Sequence, residues 1–195
     1  MTHRSDHLVL ESQSTDSTER LGALLGERLP AGSVLSLVGD LGTGKTAFVR
    51  GIAKGLGIDP EEVSSPTYAL HNELPGRLML HHFDAWIENR EALFTESGGI
   101  EALLGEGVCA IEWAGGLSAH LPAPHLELQF RHHAEEVRRI ALRVAAHEAR
   151  APRARAARAQ LESALQALAG LAGDFPGDFR ILDEPFEDSL VPPHR

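Results

Sequence analysis

A chain of 195 residues, 43% hydrophobic and 24% charged, has the material for one globular domain with an appendage, and its formal net charge of −10 argues against a protein that holds nucleic acid by its own electrostatics. No apolar run approaches the length of a membrane span, and Met1-Thr2-His3-Arg4-Ser5-Asp6-His7 lacks the apolar core of a secretion signal, so a cytoplasmic protein with no membrane partner is expected. The single cysteine, Cys109, cannot pair within the chain, and its apolar surroundings read as those of a buried structural thiol.

In chain order, residues 7–12 alternate well enough for a first strand. Asp16 and Glu19 have capping-box spacing, and Leu21, Leu24, Leu25 and Leu29 share one helical face, which predicts a helix over 17–29 with Asp16 as its N-cap. Pro30-Ala31-Gly32 ends it. Residues 33–38 are a buried strand, and residues 47–56 repeat apolar positions at helical spacing until Gly55-Leu56-Gly57. Pro66 holds Val63-Ser64-Ser65-Pro66-Thr67-Tyr68 out of a helix. Residues 77–84 and 108–113 read as strands, with acids at Asp84 and Glu112, and residues 88–104 between them are helical with a break near Gly98-Gly99. Residues 125–130 and 139–144 both alternate, as in an antiparallel hairpin with one wet face. The eleven histidines are scattered; the adjacent pairs His81-His82 and His132-His133 lack ligand spacing, because neighbours on a strand face opposite ways.

The composition changes near residue 148. Arginines among alanines are followed by Leu161, Leu165, Leu168 and Leu171, an amphipathic helix over about 153–171 whose leucine stripe packs back on the domain. Beyond Gly173 the tail is rich in Pro, Asp and Glu and is read as loosely ordered. The chain thus divides into a nucleotide-binding domain, 1–147, and a C-terminal extension, 148–195.

Gly39-Asp40-Leu41-Gly42-Thr43-Gly44-Lys45-Thr46 carries the chemistry. It matches the phosphate-binding loop G-x-x-x-x-G-K-[ST], and it stands between a strand and a helix, the setting that gives the pattern meaning. Its glycines let backbone N–H groups turn inward around a phosphate, and the helix that follows, from Ala47, adds unpaired donors. Lys45 supplies a charge for the β- and γ-phosphates, and the Thr46 hydroxyl a ligand for Mg²⁺. The fold class is α/β, and the chain binds a nucleoside triphosphate.

Hydrolysis also requires a carboxylate opposite Thr46 and a group that positions water. Strand-end acids are the candidates, because ligands of open α/β sheets sit at the carboxyl ends of the strands. The run Val108 to Glu112 has the Walker-B form, which gives Glu112 the metal role and leaves Asp84 to orient water or sense the γ-phosphate. Either acid can instead cap a neighbouring helix. Ser65 and Thr67 are hydroxyls placed to order around the γ-phosphate and Mg²⁺. A P-loop small-molecule kinase, drawing on Arg131, Arg138 and Arg139, and a nucleotide-dependent binding module with little turnover remain open. A GTPase switch is disfavoured, since no Asn-Lys-x-Asp motif is present.

The ordered set of P-loop, Phe48-Val49-Arg50-Gly51, Ser65-Pro66-Thr67-Tyr68, His82-Phe83-Asp84 and Ile111-Glu112-Trp113, with Thr18 and Leu21-Gly22 upstream, resembles the bacterial TsaE (YjeE) family, the P-loop ATPases of tRNA threonylcarbamoyladenosine (t6A) biosynthesis. The likeness spans roughly residues 10–145. It implies a P-loop NTPase-like three-layer fold with central parallel strands and antiparallel strands at the edges. It also implies slow intrinsic ATP hydrolysis that depends on docking to the TsaD–TsaB complex. By resemblance, Mg²⁺ falls on Thr46 and Glu112, and Lys45, Asp84 and Glu112 serve hydrolysis. ATP contacts Gly39, Asp40, Gly42, Thr43, Gly44, Lys45, Thr46, Ala47, Ser65, Thr67 and Asp84, and Thr15 and Thr18 approach the base. Two stretches depart from the family pattern: Asp84-Ala85-Trp86-Ile87 replaces Asp-Leu-Tyr-Arg, and Ala114-Gly115-Gly116 replaces a segment with a further acid.

Overall fold

The computed structural model describes residues 7–66, 70–86, 90–117, 120–145, 152–175 and 177–185. Eight strands form one mixed sheet: β1 (His7–Ser12), β2 (Val34–Gly39), β3 (His71–Leu74), β4 (Leu80–Asp84), β5 (Val108–Glu112), β6 (His125–His132), β7 (Arg138–Ala145) and β8 (Phe179–Leu182). Their spatial order is β3-β4-β5-β2-β6-β7-β1-β8. The β4-β5-β2-β6 centre is parallel and every remaining pairing is antiparallel. This is the P-loop NTPase-like α/β arrangement that the sequence predicts, including the β6–β7 hairpin.

Helices cover the sheet unequally. α1 (Thr15–Gly26), α2 (Lys45–Gly55) and α5 (Pro152–Gly173) share a core with Leu10, Leu35, Leu37, Leu128, Phe130, Ile140 and Leu142. Strand alternation sends Val34, Phe83, Cys109 and Ile111 to the opposite face, against α3 (Arg90–Glu96), α4 (Gly99–Leu104) and the short turn Ala114–Leu117. Cys109 is buried there, and burial pushes its thiol pKa up, as an inert structural cysteine requires.

α1 and α2 approach so closely that their backbones touch. A Cβ at Gly22 would collide with the Phe48 carbonyl, one at Gly51 with that of Glu19, and one at Gly26 would stand 2.6 Å from that of Ile52. Four glycines, Gly22 and Gly26 on one helix and Gly51 and Gly55 on the other, form this seam.

Several local expectations need correction. α1 starts at Thr15 and its N-cap is Ser14, whose Oγ accepts the Ser17 N–H at 3.0 Å; Asp16 instead sits in the first turn, where its charge meets the positive helix end. The helix ends at Gly26, short of Leu29. Arg77 lies outside the strand expected over 77–84. It donates to the carbonyls of Gly26 and Leu29, closing the C-terminal end of α1. β3 and β8 are strands the sequence pattern does not announce. β8 pairs with β1, so residues 179–182 of the expected loose tail belong to the sheet. The leucine stripe of α5 does pack inward: Leu161, Leu165 and Leu168 are buried.

Candidate functional site

The loop between β2 and α2 is shaped by two glycines in the left-handed region, Gly42 at φ 73° and Gly44 at φ 98°. Gly44 is the N-cap of α2 and offers no side chain to it. The leading N–H groups of α2, those of Lys45, Thr46 and Ala47, therefore have neither a carbonyl one turn back nor a side-chain cap, which is the donor set of an anion site. Thr18 and Arg138 flank this spot: a Cβ on Gly44 would lie 3.5 Å from Thr18 Cγ2 and 3.9 Å from Arg138 Cγ. The Thr18 hydroxyl is occupied by Ser12 Oγ at 2.7 Å and the Ser14 carbonyl at 3.1 Å, so Thr18 turns its methyl group to the loop. Thr15 is exposed at the start of α1. Asp40 is exposed, and its carbonyl accepts from the Thr43 hydroxyl at 2.7 Å.

Lys45 is only 4% exposed. Its ammonium donates to the carbonyls of Gly39 and Asp40, at 2.8 Å each, and lies 3.8 Å from the centre of the Trp113 ring. Burial lowers its pKa, and the negative charges of Glu112, Asp84 and Asp40 oppose the shift. Trp113 has φ 60°, an unusual conformation for a bulky residue, and its ring also packs on Trp86 with centroids 4.1 Å apart.

The two strand-end acids lie side by side, since Asp84 and Glu112 are register partners of β4 and β5. Thr46 donates its hydroxyl to Glu112, with Oγ1 2.8 Å from Oε1 and 3.0 Å from Oε2. Asp84 accepts the Ser65 hydroxyl and the Trp86 N–H, each at 3.0 Å. The structure thus gathers Lys45, Thr46, Ser65, Asp84 and Glu112 at the carboxyl ends of the parallel strands; Thr67 lies outside the described residues. A hydroxyl touching a buried carboxylate beside uncapped N–H donors fits a hard divalent cation and a phosphate chain.

His82, quoted in the family motif but given no role by the sequence, also belongs to this site. It is fully buried, and its Nε2 donates to Glu112 Oε1 at 2.9 Å, while its Nδ1 has no hydrogen-bond partner among the described residues. The available signal was its place two residues before Asp84 on one strand, hence on the same face. The arginines considered for a kinase lid separate: Arg138 stands by the P-loop, whereas Arg131 and Arg139 line a groove with Val9, Gln129, Ala141 and Glu184.

Comparison with known proteins agrees with this geometry. The family model described as threonylcarbamoyl adenosine biosynthesis protein TsaE matches residues 12–140. The tRNA threonylcarbamoyladenosine biosynthesis protein TsaE of Treponema pallidum is 41% identical over 120 residues, 62% of this chain and 88% of that protein. Its Bacillus subtilis counterpart is 36% identical over 126 residues, 64% of this chain and 78% of that protein. The crystal structure of Bacillus subtilis YdiB superposes with a TM-score of 0.61 at 27% identity, covering 80% of this chain and 95% of that one. With its P-loop, paired strand-end acids and sheet order in place, the chain belongs to the TsaE family.

Proposed function

We propose that this protein is a Mg²⁺-dependent ATPase that serves tRNA t6A modification by docking on a TsaD–TsaB complex and hydrolysing ATP to sustain its turnover. The observation that carries this reading is the Thr46–Glu112 contact beside the uncapped start of α2. Thr46 and Glu112 would hold Mg²⁺, which would supply Lewis-acid stabilisation of charge on a phosphate oxygen. The N–H groups of residues 45–47 receive phosphate oxygens, and Lys45 leaves its two carbonyl partners to neutralise the β- and γ-phosphates. Asp84, tied to Ser65 and the Trp86 N–H, stands beside Glu112 and orients the attacking water. His82 keeps the Glu112 carboxylate turned toward Thr46. Leu41, 82% exposed on the P-loop, and Trp86, 55% exposed after β4, give the site an apolar rim suited to docking.

The test is phosphate release by the purified chain with ATP and Mg²⁺, alone and with TsaD–TsaB. Release is expected to rise with the complex, and Glu112→Gln should lower it by about 100-fold or more while an ATP analogue still binds without Mg²⁺. Unchanged release in Glu112→Gln refutes the metal role. Absence of binding to TsaD–TsaB in any nucleotide state refutes the docking.

A further inference from the structure

A second cluster of ligand-type side chains lies on the other face of β4, away from the phosphate loop. β3 pairs antiparallel with β4, with His71 opposite Phe83 and Glu73 opposite His81, so alternation puts all four side chains on one face. His82, between them in sequence, points to Glu112 on the opposite face. His71 Nε2 stands 3.2 Å from His81 Nδ1, and Glu73 Oε1 stands 3.4 Å from His81 Nδ1 and 4.0 Å from His71 Nε2.

Those separations resemble a coordination triangle. Donors on a tetrahedral zinc, each about 2.0–2.1 Å from the metal, stand roughly 3.3 Å apart. Two edges already match, and the third closes with a movement of less than about 1 Å by the Glu73 side chain, which is 60% exposed.

The Nδ1 of His71 lies 3.0 Å from the Ser97 carbonyl, which can only accept, so Nδ1 carries a proton and in the neutral ring Nε2 presents its lone pair toward Glu73 and His81. An N–H donated to a backbone carbonyl is the support that metal-binding histidines commonly have. Stacking on Phe83, with ring centroids 4.0 Å apart and planes 8° from parallel, fixes the ring. Burial also lowers the pKa of His71, which favours the ligating free base.

We propose that His71, Glu73 and His81 bind one divalent transition-metal ion of borderline softness, typified by zinc, with the remaining coordination position open to solvent. Two imidazoles and a carboxylate suit such an ion better than Mg²⁺, which prefers all-oxygen ligands. The ion clasps the edge strand β3 to β4 and, through His71 and Ser97, to the end of α3. Because Glu112 faces the other way, this site and the proposed Mg²⁺ site are separate.

The test is equilibrium dialysis of the full chain, free of nucleotide and Mg²⁺, against Zn²⁺. One equivalent is expected, retained by Glu112→Gln and in excess Mg²⁺. His71→Ala and His81→Gln should each weaken it by about 100-fold or more, the upper range of what loss of a second-shell partner alone costs. Glu73→Gln changes an exposed side chain, so it keeps the fold and should weaken zinc at least about 10-fold. Unchanged zinc affinity in Glu73→Gln, one equivalent surviving in both histidine variants, or loss of zinc in Glu112→Gln overturns the proposal. In that event the two histidines simply share a proton beside Glu73.

Discussion

Glu112 receives the Thr46 hydroxyl and the His82 N–H at once, so its carboxylate is oriented before any cation arrives. Lys45 is in the opposite condition. Its charge is spent on two carbonyls of its own loop and on the Trp113 ring, and under the proposed function a triphosphate would have to draw it away from all three. Trp113 would then report the proposed nucleotide binding. In a Trp86→Phe background, saturating ATP should change the emission of Trp113, and Lys45→Ala should abolish that response. An emission unmoved by ATP in protein that demonstrably binds it would mean that Lys45 stays on the ring. The main acids were legible in the sequence because apolar strands ending in a carboxylate point to the ligand end of an α/β sheet. His82 stood in the motif, but its contact did not, because that depends on a partner thirty positions away, supplied only when β4 and β5 pair in register. The left-handed backbone of Trp113 was equally invisible, since bulky residues seldom adopt it.

Among the elements, the pairing of α1 and α2 rests on absent side chains. At Gly51 an added methyl group would meet the Glu19 backbone, which cannot rotate aside, whereas Gly170 in α5 has nothing within 4 Å and ordinary backbone angles. Gly51→Ala should therefore destabilise the protein by about 1–3 kcal/mol, the scale of overpacking. Gly170→Ala should stabilise it by about 0.4–1 kcal/mol through helix propensity and a less flexible unfolded chain. Urea denaturation of both variants checks this, and equal shifts of the same sign would contradict the seam. Elements with strong local patterns were the legible ones: the β2–α2 unit, β5, and the β6–β7 hairpin. β3 and β8 were not, and for a common reason. His71-Asn72-Glu73-Leu74 is mostly polar, and Phe179-Arg180-Ile181-Leu182 follows a Pro- and acid-rich stretch, so both become strands by pairing at an edge rather than by propensity. Missing β3 also hid the cross-strand histidine cluster, since His71 and His81 are ten residues apart and meet only through the hairpin.

At the scale of the whole molecule, the TsaE family match ends at residue 140, yet the core does not. Leu168 is fully buried in the same cluster as Leu10 and Ile140, and β8 extends the sheet past β1. If α5 and the domain before it unfold as one unit, a cavity at Leu168 must be felt at the phosphate loop. Trp113 sits beside Lys45 with Trp86 against it, after β5 and β4, while α5 packs near the β7-β1-β8 side of the sheet, so fluorescence reports the half around the phosphate loop and far-UV circular dichroism reports every helix, the 22 residues of α5 included. Leu168→Ala should cost about 2–5 kcal/mol and move both probes together along a single urea transition. A shifted dichroism signal with an unmoved fluorescence midpoint would instead make the C-terminal extension an independently unfolding layer, and the unity of this core would then stop at β7.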